Sequence, residues 1–222
     1  MEIKICGLTH ISQAIAVAEM GITAVGMICV PTSPRYIPPD QQRAINDALV
    51  PYPVWRVGVF ANAPVTEVIT AVQVSGFDAV QLHGDESPAD CQTLRHRLPH
   101  VRLIKALRVR SAASLARLSD YEPWVDRLLL DAYHPEQLGG TGHAWDWQHL
   151  RSATRPAIPW WLAGGLTPEN CLSAIDHTQP HGIDVSSGVE LKPGWKDLER
   201  VRQLVKQVRS LSSLGSQGAA PS

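Results

Sequence analysis

Short apolar runs alternate with amphipathic stretches along the chain. Eight runs read as strands, at 2–6, 24–29, 54–60, 78–82, 101–107, 127–131, 159–163 and 182–186. They are rich in Val, Ile and Leu, as strands of a sheet covered on both faces should be. Helix candidates lie between them, near 10–20, 40–49, 64–75, 87–97, 111–119, 146–152, 167–176 and 195–213. Start signals precede several: Pro64 before Thr66-Glu67, Ser87-Pro88, and Thr167-Pro168-Glu169. In the last helix Leu198, Val201, Leu204, Val205, Val208 and Leu211 share one face, away from Glu199, Arg200, Lys206 and Arg209.

Eight strands, each followed by a helix, predict an α/β fold: a compact (β/α)8 TIM barrel of the phosphate-binding type. The rival is an open doubly wound sheet, which more often shows fewer strands and a glycine fingerprint after the first. Here the first strand ends in Cys6-Gly7-Leu8-Thr9, without that fingerprint. Residues 1–211 read as a single barrel domain, and 212–222 as a small, polar tail that frays.

Side chains alternate along a strand, so one set faces the helices and the other the barrel axis. Ile3 and Ile5 suit the helix side, which turns Lys4 and Cys6 inward. Gln81 and His83 share one face of the fourth strand. Leu129 and Asp131 point inward on the sixth, as do Asp184 and Ser186 on the eighth. Several inward positions are therefore polar, and most fall at strand C-termini, where barrel active sites are built. A buried charge must be paired or serve chemistry. Lys4, deeper in the barrel, reads as part of a structural network. Cys6 and Asp131, last on their strands, read as functional.

Strand seven runs into Gly164-Gly165, and strand eight into Ser186-Ser187-Gly188. Glycines let backbone N–H groups approach an anion, and loops seven and eight are the usual phosphate site of this fold. Each loop taken alone reads equally as a tight turn. A third glycine stretch, 139–142, lies in a long loop from 132 to about 145 that is placed to close over a substrate.

Composition narrows the classes. The chain has 222 residues, 44% hydrophobic and 18% charged, with a net charge of −1. That balance is globular and gives no basic footprint for nucleic acid or an anionic membrane. No apolar run is long enough for a membrane span, and the N-terminus has no signal-peptide core, so a cytoplasmic location is expected. Four scattered cysteines read as free thiols. Nine histidines show no metal-ligand spacing, so no metal is expected.

KICGLT at 4–9, SPRYI at 33–37, VGVFAN at 57–62, VQLHGDE at 80–86, LLLD at 128–131, GGTGHAWDW at 139–147, LAGGLTPEN at 162–170 and GIDVSSGVE…PGWKD at 182–197 occur in that order. Together they closely resemble the phosphoribosylanthranilate isomerase family of tryptophan biosynthesis, over about residues 3–197. The resemblance implies an Amadori rearrangement of N-(5-phosphoribosyl)anthranilate without cofactor or metal. It implies Cys6 as general base, Asp131 as general acid and Arg35 on the anthranilate carboxylate. The helix at 10–20 departs from the family in lacking an acidic residue near its start, and the tail is its own.

The chemistry suits these residue types. Opening the furanose needs a proton on the ring oxygen, so Asp131 must hold one until then. Forming the enolamine needs a base at C2′. A thiolate can serve, which calls for a pKa below the ~8.5 of a free thiol. His83 and Asp184 point into the same space and are placed to orient these groups or touch ribose hydroxyls. The partner is then a small phosphosugar, and the protein a monomer or a homodimer. The nearest alternative is another phosphosugar isomerase barrel. The histidine-pathway enzyme has an aspartate where this chain has Cys6, and the lysine and glutamate motifs of indole-glycerol-phosphate synthase are not seen. A non-catalytic phosphate-binding barrel would need the glycine loops but not Cys6 with Asp131.

Overall fold

The computed structural model describes residues 1–109, 115–131 and 155–214. Eight strands form the sheet: β1 (Glu2–Cys6), β2 (Ala24–Ile28), β3 (Trp55–Phe60), β4 (Ala79–Leu82), β5 (Arg102–Arg108), β6 (Arg127–Asp131), β7 (Trp160–Ala163) and β8 (Gly182–Val185). They pair in sequential order, all parallel, and β1 pairs with β8 to close the barrel. Each strand lies within a residue of its sequence expectation.

The helices are α1 (Ile11–Glu19), α2 (Pro39–Ala48), α3 (Val65–Ser75), α4 (Pro88–Arg97), a single turn α5 (Leu118–Tyr121), α6 (Cys171–Thr178) and α7 (Leu198–Leu214). Local chemistry sets their ends. Ser87 and Asp90 exchange side-chain and backbone hydrogen bonds in a capping box that starts α4. Gly76, at φ 75°, ends α3 in the left-handed conformation.

Three expectations need correction. The stretch 167–170 is a turn, because the Asn170 side chain accepts from the Thr167 N–H, and α6 starts only at Cys171. Trp195 and Lys196 are not helical. They form β10 (Trp195–Lys196), paired with β9 (Glu190–Lys192) in a hairpin whose turn includes Gly194 at φ 79°. The Gln13 side chain bonds both the N–H and C=O of Lys196, which fixes this strand, and Asp197 then caps α7. At its far end α7 runs to Leu214, three residues past the boundary at 211. The candidate helix at 146–152, the loop from 132 to 145 and most of the tail lie outside the described residues, as does the first part of the helix expected at 111–119.

The core has two shells. Between strands and helices lie Ile3, Ile5, Val25, Val80, Leu82, Leu128, Leu130, Leu162, Ile183 and Val185. Inside the barrel lie Cys6, Ala24, Val57, Val59, Ala79, Ile104, Ala106, Leu129, Trp161 and Ala163. The expected parity of β1, β6 and β8 is thus the observed one. At the N-terminal end Trp161 stacks on Trp55, Arg127 lies over both rings, and Glu2 accepts from the Trp161 indole and from Arg127. Truncating a buried aromatic of this kind costs about 3–5 kcal/mol. This plug closes the bottom of the barrel and leaves its C-terminal end for a site.

Candidate active site

A cavity of about 240 Å³ opens at the C-terminal ends of the strands. Cys6, Arg35, Gln81, His83, Asp131, Gly164, Gly165, Asp184, Ser186, Ser187 and Gly188 all line it. Every site residue expected from the sequence therefore meets in one space.

On one wall, Cys6 ends β1 beside Lys4. Lys4 and Asp184 are register partners across β1 and β8, so both point inward. The Lys4 ammonium donates to both Asp184 oxygens, at 3.0 and 2.9 Å. Gly26, the register partner of Cys6 on β2, makes room for this group. A Cβ there would fall 2.8 Å from the Cys6 Sγ and 3.0 Å from the Lys4 Nζ. Burial pushes the Cys6 thiol above its ordinary pKa, and the Lys4 charge pulls against that shift. Burial alone would depress Lys4. Asp184 and Cys6 outweigh it, and the ammonium ends above its usual range. The expectation of a lowered Cys6 pKa is not met, because desolvation exceeds the pull of one ammonium shared with Asp184.

On the facing wall stands a relay of side chains from β4 and β6. The Gln81 amide Nε2 lies 3.0 Å from His83 Nδ1, and His83 Nε2 lies 3.0 Å from Asp131 Oδ2. An amide NH2 can only donate, so in this arrangement Nδ1 accepts and Nε2–H donates to Asp131. His83 is held at the strand end by its own N–H, which donates to Phe60 O. Buried Lys105 donates to Gly84 O and Glu86 at 2.7 Å and so pins the following loop. Lys105 was legible only as a lone lysine in an apolar strand.

The glycine loops converge. Gly164 and Gly165 have φ of 99° and 62°, values that suit glycine. A Cβ on Gly188 would meet Leu166 O at 1.9 Å, so only glycine lets loops seven and eight touch. Ser186 donates to Cys6 O at 3.0 Å and ties the eighth loop to β1.

Arg35 reaches the pocket from the loop after β2. Its Nε and Nη2 are gripped by the Glu190 carboxylate at 2.6–3.1 Å, and Lys196 donates to Glu190 at 2.7 Å. Burial opposes ionisation of Glu190, but Arg35 and Lys196 outweigh it and hold the carboxyl below its ordinary range. Burial lowers the Lys196 pKa despite Glu190. Glu190 and Lys196 stand in the GVE…PGWKD motif, yet nothing in the motif points to Arg35, because the hairpin that joins them to it depends on tertiary contacts.

Comparison with known proteins agrees with this geometry. The profile described as N-(5'phosphoribosyl)anthranilate (PRA) isomerase matches residues 3–207. An N-(5'-phosphoribosyl)anthranilate isomerase of Acaryochloris marina is 51% identical, covering 95% of this chain and 99% of that protein. One of Synechococcus elongatus is 53% identical, covering 96% and 99%. The crystal structure of phosphoribosyl anthranilate isomerase from Thermotoga maritima superposes with a TM-score of 0.83 at 37% identity, covering 95% of this chain and 99% of that one. A structure of such an isomerase in complex with reduced 1-(o-carboxyphenylamino)-1-deoxyribulose 5-phosphate gives 0.81 at 35% identity, with the same coverage. By profile, identity and fold alike, the chain belongs to the N-(5'-phosphoribosyl)anthranilate isomerase family.

Proposed function

We propose that this barrel isomerises N-(5'-phosphoribosyl)anthranilate to 1-(2-carboxyphenylamino)-1-deoxyribulose 5-phosphate, with Asp131 as general acid and Cys6 as general base. The observation that carries the reading is one cavity that holds a thiol on one wall, a carboxyl on the other and two glycine loops at its rim.

Asp131 gives a proton to the ring oxygen, the C1′–O bond opens, and the anthranilate nitrogen takes up the positive charge as an iminium. Cys6 removes the proton from C2′, and the electron pair moves to form the enolamine. That product tautomerises to the aminoketose. Each group is expected to supply ~10²–10⁴ in rate. Holding the sugar between the two walls adds the advantage of orientation.

The Lys4 ammonium supports the base, since it favours the thiolate once substrate replaces water over the pocket. Gly164, Gly165, Ser186, Ser187 and Gly188 hold the phosphate through backbone N–H groups and hydroxyls. Arg35 meets the anthranilate carboxylate, with Glu190 fixing two of its nitrogens so that the rest of the fork faces the cavity. His83 orients Asp131, and Asp184 acts through Lys4. No step needs a metal or a cofactor, and none calls on nucleic acid.

No helix among the described residues is long and apolar enough to cross a membrane. The reading is of a cytoplasmic enzyme, either a monomer or a homodimer. One related isomerase, from Thermotoga maritima, is described as dimeric. Turnover of phosphoribosylanthranilate by purified protein tests the activity, and its loss in Cys6→Ala and Asp131→Asn tests the roles.

A further inference from the structure

Gln81 is fully buried on β4, within hydrogen-bond distance of His83. Its Nε2 is satisfied by His83 Nδ1, but its Oε1 is buried with no hydrogen-bond partner among the described residues. A buried unpaired carbonyl costs about 1–3 kcal/mol. Turning the amide over would put Oε1 against Nδ1 and leave Nε2 unpaired instead. Each orientation strands one amide atom, so neither is strongly preferred on that count.

The two orientations demand opposite states of the ring. With Nε2 donating, Nδ1 must be bare, and the Nε2–H of His83 faces an ionised Asp131. With Oε1 accepting, Nδ1 must carry the proton, and a bare Nε2 can accept from a protonated Asp131. A general acid passes through both forms in each turnover. We propose that Gln81 is a positioning residue for Asp131: its buried amide turns over, His83 changes tautomer with it, and the pair serves Asp131 both as carboxylic acid and as carboxylate. The proposal rests on the reading of Asp131 as the acid.

The protons balance. The first arrangement holds one, on Nε2. The second holds two, one on Nδ1 and one on Asp131. The difference is a single proton taken from water when the spent acid is reloaded, and no electrons are transferred. The ring side chain is about a quarter exposed, so its exchange with water is open. Among the described residues, the charged and titratable groups around this end of the barrel are Cys6 and Lys4 from β1, Arg35 with Glu190 and Lys196 behind it, Lys105 from β5 with its partner Glu86, Arg108 from β5 and Asp184 from β8. Arg108 reaches the His83 carbonyl at 3.5 Å, not the ring.

The test is 15N NMR of the His83 imidazole in the intact protein across a pH titration, assigned by loss of the signal in His83→Asn. As the pair takes up its second proton, the wild type should pass from the Nε2–H form to a neutral Nδ1–H ring with a bare Nε2, the proton residing on Asp131, and an imidazolium protonated on both nitrogens would overturn the proposal. Gln81→Glu, whose carboxylate only accepts, should hold Nδ1–H throughout. One unchanging tautomer in the wild type would overturn the proposal, and that result stands even if the variant fails to fold. Gln81→Met, of similar volume but without the amide, should lower kcat about tenfold and move the pH profile while KM stays within about threefold. An unaltered kcat and profile in a folded Gln81→Met protein would also overturn it. Full turnover by Asp131→Asn would instead remove the reading underneath, whereas the tautomer exchange is observed without turnover.

Discussion

Lys4 and Asp184 face each other across the seam that closes the barrel, with the ammonium 3.0 and 2.9 Å from the two carboxylate oxygens. Both are buried, and Cys6 lies beside them. The pair is thus both a structural strut and the electrostatic floor of the site. Lys4→Met should strand a buried carboxylate and cost about 3–5 kcal/mol. Lys4→Met combined with Asp184→Asn should recover much of that loss. Urea unfolding measures both, and equal stability of the single and double variants would show that the charges are not coupled.

Burial raises the Cys6 pKa in the free enzyme, so the thiolate fraction should still be rising above pH 9. Iodoacetamide labelling of Cys6 should accelerate with pH through that range. Lys4→Met removes the main opposing charge and should slow labelling at any one pH. The linkage has a definite sign. A folded-state pKa above the unfolded one favours folding below the unfolded value, and that contribution is lost as pH rises through the folded one. A labelling rate that plateaus near neutrality would contradict this account.

Gly188 touches the seventh loop through its missing side chain. Gly188→Ala would drive a Cβ to 1.9 Å from Leu166 O, so the two loops must part. We expect KM to rise about tenfold or more, with a smaller change in kcat, because ground-state and transition-state grip on the phosphate fall together. Unchanged KM, and unchanged affinity for inorganic phosphate as inhibitor, would place the phosphate elsewhere.

Much of this site was legible because strands impose a period of two. Once Ile3 and Ile5 are assigned outward, Cys6 must point in, and the same logic fixes Asp131 and Asp184. The glycine loops were legible for a similar reason, since their places follow from strand order. What escaped was set by tertiary contacts. The β9–β10 hairpin depends on Gln13, far away in sequence, bonding the backbone of Lys196. Without it nothing links Glu190 to Arg35. The turn at 167–170 looked like a helix start, and only the Asn170 side chain decides otherwise. The direction of the Cys6 shift also escaped, because it depends on how far one shared ammonium offsets burial.

Arg35 is the test of substrate identity. Arg35→Ala should raise KM for the anthranilate-bearing substrate by about tenfold or more, the worth of a charge-assisted hydrogen bond, and leave kcat less affected. Affinity for a product analogue lacking the carboxylate should not change. If the variant weakens both ligands equally, Arg35 serves the loop through Glu190 and not the substrate.

The central claim is that Cys6 and Asp131 perform the isomerisation from opposite walls of one cavity. The direct measurement follows the fluorescence of phosphoribosylanthranilate as purified wild-type, Cys6→Ala and Asp131→Asn proteins consume it. The account predicts turnover by the wild type and a fall in kcat of at least ~10²-fold in each folded variant. Absence of wild-type turnover, or near-normal turnover in either variant, would contradict it.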